Sequence, residues 1–339
     1  MSDAEAPPRR RLLPWISLLV VWVVWGSTYL AMRIVVREMP PLAAAGTRFL
    51  GAGTIMGLVA LVADRGSGWP GRRQWLDYAL IGVLLLSVGN SLVMWAEQTV
   101  PSGIAALIVA TVPLWILLLD GLRPGGEPWT ARVWIGTMVG LAGVALVARP
   151  EGDVDAAHWL AIVALQVACL SWTVGSLYAQ QVPKRLPLAS AAAIEMLAGS
   201  LVALAASRLF GEDWSGMAAA SARAWGGVGY LVVFGSLVGF TAFAYCLNEL
   251  PATTVGTYAY VNPVVAVVLG WLILAEPLTL GLLAGGLLIV ASVALTTLRK
   301  KPAPSSRGAP FESGDEGSAD VGAGGSFGTR ADGVPQDDR

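Results

Sequence analysis

The stretch VVWGSTYL at residues 23–30 returns as WTVGSLYA at 172–179, so that Gly26, Ser27 and Tyr29 match Gly175, Ser176 and Tyr178 at an offset of 149 positions. Two further correspondences fall in the same register. Gly89, Pro101 and Pro113 match Gly239, Pro251 and Pro263 at an offset of 150, and Glu127, Pro128 and Thr130 match Glu276, Pro277 and Thr279 at 149. One match would carry little weight; three in order make an internal repeat, which has to be read before any local motif.

What is repeated is a set of apolar blocks, each about 18 to 22 residues long. That is the length a helix needs to cross a hydrocarbon core of roughly 30 Å at about 1.5 Å per residue. The blocks predict helices at 12–32, 41–63, 76–96, 102–119, 131–148, 158–180, 187–207, 226–247, 252–273 and 278–297, separated by proline- and glycine-rich punctuation. They are continuously apolar rather than alternating, which excludes a β-barrel. Five helices per copy is an odd number, so the second copy enters the membrane from the opposite side. The expected fold is an all-α membrane protein of ten transmembrane helices, arranged as two inverted five-helix repeats around a central cavity. Its parts are an N-terminal segment 1–11, repeats 12–149 and 150–298, and a tail 299–339 whose Gly, Ser, Pro and Asp content predicts disorder.

Composition agrees: 55% of the 339 residues are apolar and 13% charged, against about a quarter charged in an average soluble domain. The net charge of −1 gives no ground for a nucleic-acid partner; the expected partners are the lipid bilayer and a small-molecule substrate. Cys169 and Cys246 both sit in apolar blocks, where reduced thiols behave as small hydrophobes.

Cationic residues set the orientation. With the N-terminus inside, Arg9, Arg10, Arg11, Arg65, Arg72, Arg73, Arg123, Arg132, Lys184, Arg185, Arg299, Lys300 and Lys301 lie on the cytoplasmic flank, while Arg33, Arg37, Arg149, Arg208 and Arg223 lie opposite beside Glu151, Asp153 and Asp155. Both termini are therefore expected in the cytoplasm of a bacterial-type inner membrane. A cleaved signal peptide fits the first block poorly, because that block is long, lacks a small-residue cleavage site and is needed by the repeat.

Proline interrupts one helix in each half, at Pro113 and Pro263. Each leaves a carbonyl four residues earlier, Val109 or Ala259, short of a donor, and in lipid such a group must face protein, water or ligand. Thr111, Tyr258, Tyr260 and Asn262 add polar groups nearby; the alternative is a kink that serves packing alone. The candidate substrate-binding set is Trp25, Tyr29, Asn90, Trp95, Thr111, Trp172, Tyr178, Tyr245, Tyr258 and Asn262, with Trp22 and Asn248 beside it. A buried indole NH wants a partner, so Trp25 and Trp172 suit a cavity wall. Trp15, Trp69, Trp75, Trp129 and Trp134 read instead as interface anchors.

Two charges fall inside apolar helices, Arg48 and Glu195, each about two turns after a proline. Intramembrane charges usually face a polar interior, and inversion separates these two in depth by on the order of 10 Å. Glu195 is either a proton-coupling group or a structural carboxylate bonded to hydroxyls. Glu127 and Glu276, each followed by proline, suit helix starts at 131 and 278. Gly136, Gly140, Gly143, Gly235 and Gly239 read as close helix packing.

Taken together, Trp25-Gly26-Ser27, Arg48-Phe49, Pro113, Asn262-Pro263 and the Glu-Pro pairs at 127 and 276 resemble the EamA-type transporters of the drug/metabolite transporter superfamily, over about residues 12–298. The resemblance implies a ten-helix fold whose helices 1, 3, 4, 6, 8 and 9 line a central cavity, and a family in which exporters of amino acids and related metabolites are prominent. It names no particular solute.

The expected function is secondary transport by alternating access between inverted halves, with a channel as the alternative. The chain has no GxxxxGK[ST] phosphate loop, and no cofactor or metal is expected. An enzyme is disfavoured because its one histidine, His158, stands at a helix edge without a nucleophile.

Overall fold

The computed structural model describes residues 8–297 except 67, 124–127, 150–155, 184–185 and 251. Glu127, Lys184, Arg185, the acidic residues 151–155, the side chain of Asn248 and the tail 299–339 lie outside the described residues. The described chain is helical throughout: α1 Pro8–Val36, α2 Pro41–Ala63, α3 Arg72–Ala96, α4 Ser102–Asp120, α5 Ala131–Val147, α6 Ala156–Ala179, α7 Leu188–Leu209, α8 Ala222–Cys246, α9 Tyr258–Leu274 and α10 Leu280–Thr297. Seven of these are long and apolar enough to cross a membrane, and α5, α9 and α10 are shorter apolar helices. The outward faces are apolar: Leu58, Leu201 and Leu287 are 60%, 63% and 70% exposed. A water-soluble monomer rarely tolerates such a surface; hydrocarbon accepts it.

The helices pair in a reciprocal pattern. α2 packs on α7 and α5 on α10, so each helix meets the one that the sequence offset makes its counterpart. α1 packs on α8 and α9, while α6, the counterpart of α1, packs on α3 and α4. Small residues allow the close approach. A Cβ on Gly143 would lie 2.8 Å from the Gly285 carbonyl oxygen, and one on Gly285 would lie 2.7 Å from the Gly143 oxygen. Backbones in contact gain dispersion and Cα–H···O contacts where lipid offers no hydrophobic drive.

Carboxylates tie the helix starts of one half to the helix ends of the other. Glu212, beyond the end of α7, accepts from the amides of Leu42 (3.0 Å) and Ala43 (2.9 Å) in the first turn of α2. Asp64, just past α2, accepts from the Ser190 amide (3.1 Å) and hydroxyl (2.6 Å) at the start of α7. Glu38, after α1, accepts from the Ser221 amide (2.7 Å) and hydroxyl (2.8 Å) ahead of α8. Each bond meets amides that have no intrahelical partner, and the carboxylate charge complements the positive end of the helix dipole.

The expected role of Glu276 needs correction. The start of α10 is capped by Thr279, whose Oγ1 accepts from the Leu282 amide (3.0 Å), as Thr130 caps α5 through Val133 (3.3 Å). Glu276 instead reaches α4, accepting from the Ser102 amide (2.9 Å), the Ser102 hydroxyl (2.8 Å) and the Gly103 amide (3.3 Å). In the repeated Glu-Pro-x-Thr, the threonine therefore serves its own helix and Glu276 serves a helix of the other half; Glu127 lies outside the described residues.

Proline also acts differently in the two halves. α4 breaks at Ala110–Thr111, where the Thr111 amide donates to the Ile108 oxygen (3.0 Å) and that of Leu114 to the Thr111 oxygen (2.8 Å), just ahead of Pro113. α9 does not break at Pro263, contrary to expectation. It runs unbroken through the proline, and the interruption lies earlier at Gly256–Thr257, so that α9 starts at Tyr258 rather than 252. Proline's fixed φ is compatible with a helix, and here it costs a single bond close to the helix start. A π-helical turn occupies Val83–Asn90 in α3 and another Leu231–Val238 in α8, both near the middle of their helices.

Two predictions follow from this packing. Gly143→Val forces α5 and α10 apart and should destabilise the protein by about 1–3 kcal/mol, lowering Tm in detergent micelles, whereas Gly226→Ala, with nothing within 4 Å of the new Cβ, should leave Tm unchanged or slightly raised. Glu212→Ala and Asp64→Ala should each cost about 0.5–2 kcal/mol. Because they act at opposite ends of the α2–α7 pair, their effects in the double variant should add, as followed by circular dichroism melts.

Candidate functional site

Several residues singled out in the sequence meet where α1, α2, α3, α8 and α9 converge. Trp25 is the hub: its Nε1 donates to the Gly235 oxygen (3.2 Å), and its ring lies 4.9 Å from that of Phe243 and 5.4 Å from that of Tyr258. Phe243 and Tyr258 complete the triangle edge-on at 5.7 Å. Tilted and T-shaped rings match the positive edge of one to the negative face of the next. Gly239 lies against the Trp25 indole, where a Cβ would collide with Nε1. One turn along α9, Asn262 turns its amide nitrogen to donate to the carbonyls of Trp22 (3.1 Å) and Tyr258 (3.2 Å).

Next to this aromatic group stands Arg48, 5% exposed in the first half of α2. Its Nε donates to Ser236 Oγ (3.1 Å) and its Nη1 to Asn90 Oδ1 (3.0 Å), with Met32 Sδ 3.8 Å from Nη1. Asn90 closes the π-helical turn of α3 and Ser236 sits in that of α8. Such turns rotate side chains out of the ordinary helical stripe and are frequent at functional sites. The guanidinium thus joins corresponding turns of the two halves. Ser27 Oγ and Tyr230 Oη, 2.6 Å apart, add a further link between α1 and α8.

The other candidates lie elsewhere. Tyr29, Trp95 and Trp172 are half-buried against one large apolar cluster, and Trp172 covers Gly89 of α3 much as Trp25 covers Gly239 of α8. Tyr178 donates to Asp77 Oδ1 (2.7 Å), tying α6 to α3 away from the aromatic triangle. The Thr111 hydroxyl is satisfied within its own helix by the Ile108 oxygen (2.7 Å). Tyr245 is half-buried on α8. Glu195 does not pair with Arg48. It stands where α7 crosses α3, with its backbone against Gly82.

Glu97, read from sequence as a loop residue, is a site residue the sequence did not reveal. It is the first residue past α3 and fully buried, and both carboxylate oxygens lack hydrogen-bond partners. Arg33 of α1 donates through Nη1 to the backbone oxygen of Glu97 rather than to its carboxylate. Burial holds the Glu97 carboxyl well above the ordinary carboxylate range; Arg33 pulls it down and Glu276 pushes it further up. Only a polar position next to Trp95 and Pro101 marks it in the sequence, and such a position is usually solvated.

The protein's similarities agree with this architecture. The EamA-like transporter family matches the chain twice, over residues 13–149 and 159–298. The uncharacterized inner membrane transporter YedA of Escherichia coli (strain K12) is 42% identical over 295 residues, covering 86% of this chain and 93% of YedA. The uncharacterized transporter YvbV of Bacillus subtilis (strain 168) is 26% identical over 294 residues, covering 87% of this chain and 94% of its own length. A crystal structure at 20% identity superposes with a TM-score of 0.58 over 84% of this chain and 96% of that one, a likeness of fold.

The raised carboxyl of Glu97 gives a pH signature. A group that favours its proton in the fold contributes stability that is complete below the ordinary value of 4.5 and is lost as pH rises towards and through the raised value. Glu97→Gln mimics the protonated form, so its Tm should match wild type near pH 4.5 and exceed it increasingly at higher pH in a melt series. A constant gap would show that Glu97 does not titrate in this way.

With its two-fold match and its extended relatives, the chain belongs to the EamA-like transporter family.

Proposed function

We propose that this transporter is a secondary carrier that exports small organic metabolites such as amino acids across a bacterial-type inner membrane. In this reading, residues 12–149 and 150–298 are inverted halves with both termini in the cytoplasm, and they alternate in opening a central cavity to either side. The observation that carries the proposal is the reciprocal pairing of helices. α1 leans on α8 and α9 as α6 leans on α3 and α4, which is what a two-fold axis in the membrane plane would produce. Two related bundles so arranged can exchange conformations at little net cost, because each adopts what the other relinquishes. The double family match supports the duplication, and the name of YedA supports the membrane.

The aromatic triangle and the polar arm of Arg48 and Asn90 lie on helices from both halves. A solute there would touch groups that move relative to one another, so its binding energy would differ between the two states, as coupling requires.

Purified protein in liposomes, assayed with a panel of amino acids and aromatic metabolites, tests the proposal. A carrier gives saturable, solute-selective flux and counterflow, in which unlabelled solute trapped inside drives transient accumulation of label. Flux that rises linearly with concentration and shows no counterflow would instead identify a pore.

A further inference from the structure

Resting on the carrier reading above, we propose that Arg48 is the docking point for a carboxylate of the transported solute, held between the two π-helical turns beside Trp25. A guanidinium stays protonated in proteins and carries five N–H donors. Placing one inside an apolar span is costly. Intramembrane cations ordinarily pair with an opposite charge or with backbone carbonyls. Here, among the described residues, no carboxylate lies within 4.0 Å of the Arg48 nitrogens.

The partners Arg48 does have are neutral. Ser236 takes Nε and Asn90 takes Nη1, and both fix the plane of the fork without cancelling its charge. Nη2 has no hydrogen bond among the described residues, so its donors are unspent. Nη2 lies beside Gly235, where a Cβ would stand 3.1 Å from Nη2 and 2.9 Å from Thr28 Cγ2. The Gly235 carbonyl is engaged by the Trp25 indole. The site thus offers a fixed cation, unspent donors and an aromatic wall, but no counter-charge.

A carboxylate supplies what is missing. Its two oxygens match the guanidinium fork, and charge-assisted bonds of this kind are roughly twice as strong as neutral ones. The solute's apolar or aromatic body would lie along Trp25, Phe243 and Tyr258. Because Arg48 is held by Asn90 of one half and Ser236 of the other, the bound anion would report directly on how the halves are arranged.

The test uses the full-length protein in detergent micelles, with thermal unfolding followed during titration with paired probes: acetate and acetamide, benzoate and benzamide, L-phenylalanine and L-phenylalaninamide, and inorganic phosphate. At least one acid should protect about 10- to 100-fold more tightly than its amide, the span expected for a hydrogen bond to a charged group. Arg48→Gln should abolish that preference, and Arg48→Lys should retain only part of it. Gly235→Ala, which would place a Cβ 3.1 Å from Nη2 and leaves the charge in place, should weaken the acid and spare the amide, and it serves if the arginine variants fail to fold. Acids and amides binding alike, no acid binding at all, or protection by phosphate alone would overturn the proposal. If counterflow persists in liposomes without any preference for acids, Arg48 loses this role while the carrier reading stands; if counterflow is absent, the carrier reading itself fails.

Discussion

A helix that starts inside or at the edge of a bilayer exposes amides that have no intrahelical partner, and where water is scarce each of them must be met by another part of the chain. In this protein that need is met across the halves. Glu38, Asp64, Glu212 and Glu276 each follow the end of one helix and accept from the start of another, and every such contact joins the first half to the second. α2 and α7 do this mutually, each supplying the carboxylate that completes the other's start. The bundle is therefore clamped at helix ends, while its faces are held by small residues and van der Waals contact.

The middle is where the polar chemistry gathers. The π-helical turns of α3 and α8 bring Asn90 and Ser236 onto one guanidinium, and the glycines of α8 let Trp25 of α1 press close. These features depend on one another. Without Gly239 the indole would not fit, and the indole in turn occupies the Gly235 carbonyl. Beyond the end of α3 the buried Glu97 accepts from Arg33 through its backbone oxygen, while Glu276 holds the start of α4.

Much of the helical framework was legible because apolar run length is a one-dimensional property. The runs at 41–63 and 102–119 lie within a residue of the helices found, and the interruption expected at Pro113 falls just before it, at Ala110–Thr111. Partnership was not legible. Glu276 reads locally as a cap for the helix that follows it, and only the tertiary fold brings Ser102 within 3 Å. The start of α9 differs because the apolar run that begins near Tyr258 was extended back through the threonine- and glycine-bearing stretch 252–257, where the chain turns at Gly256–Thr257. Arg48 stood out as a charge in an apolar helix, yet nothing in its neighbourhood of sequence points to Asn90 or Ser236, and Glu97 gave no sign of being enclosed.

The mutual capping of α2 and α7 requires that the end of one helix lie beside the start of the other, and hence that their ends face opposite compartments. With the buried Cys169 and Cys246 replaced by alanine, single cysteines at Gly66, just past α2, and Phe210, just past α7, can be labelled in sealed vesicles with an impermeant thiol reagent. The account predicts that one reacts only from outside and the other only after the vesicles are opened. Labelling of both from the same side would contradict it.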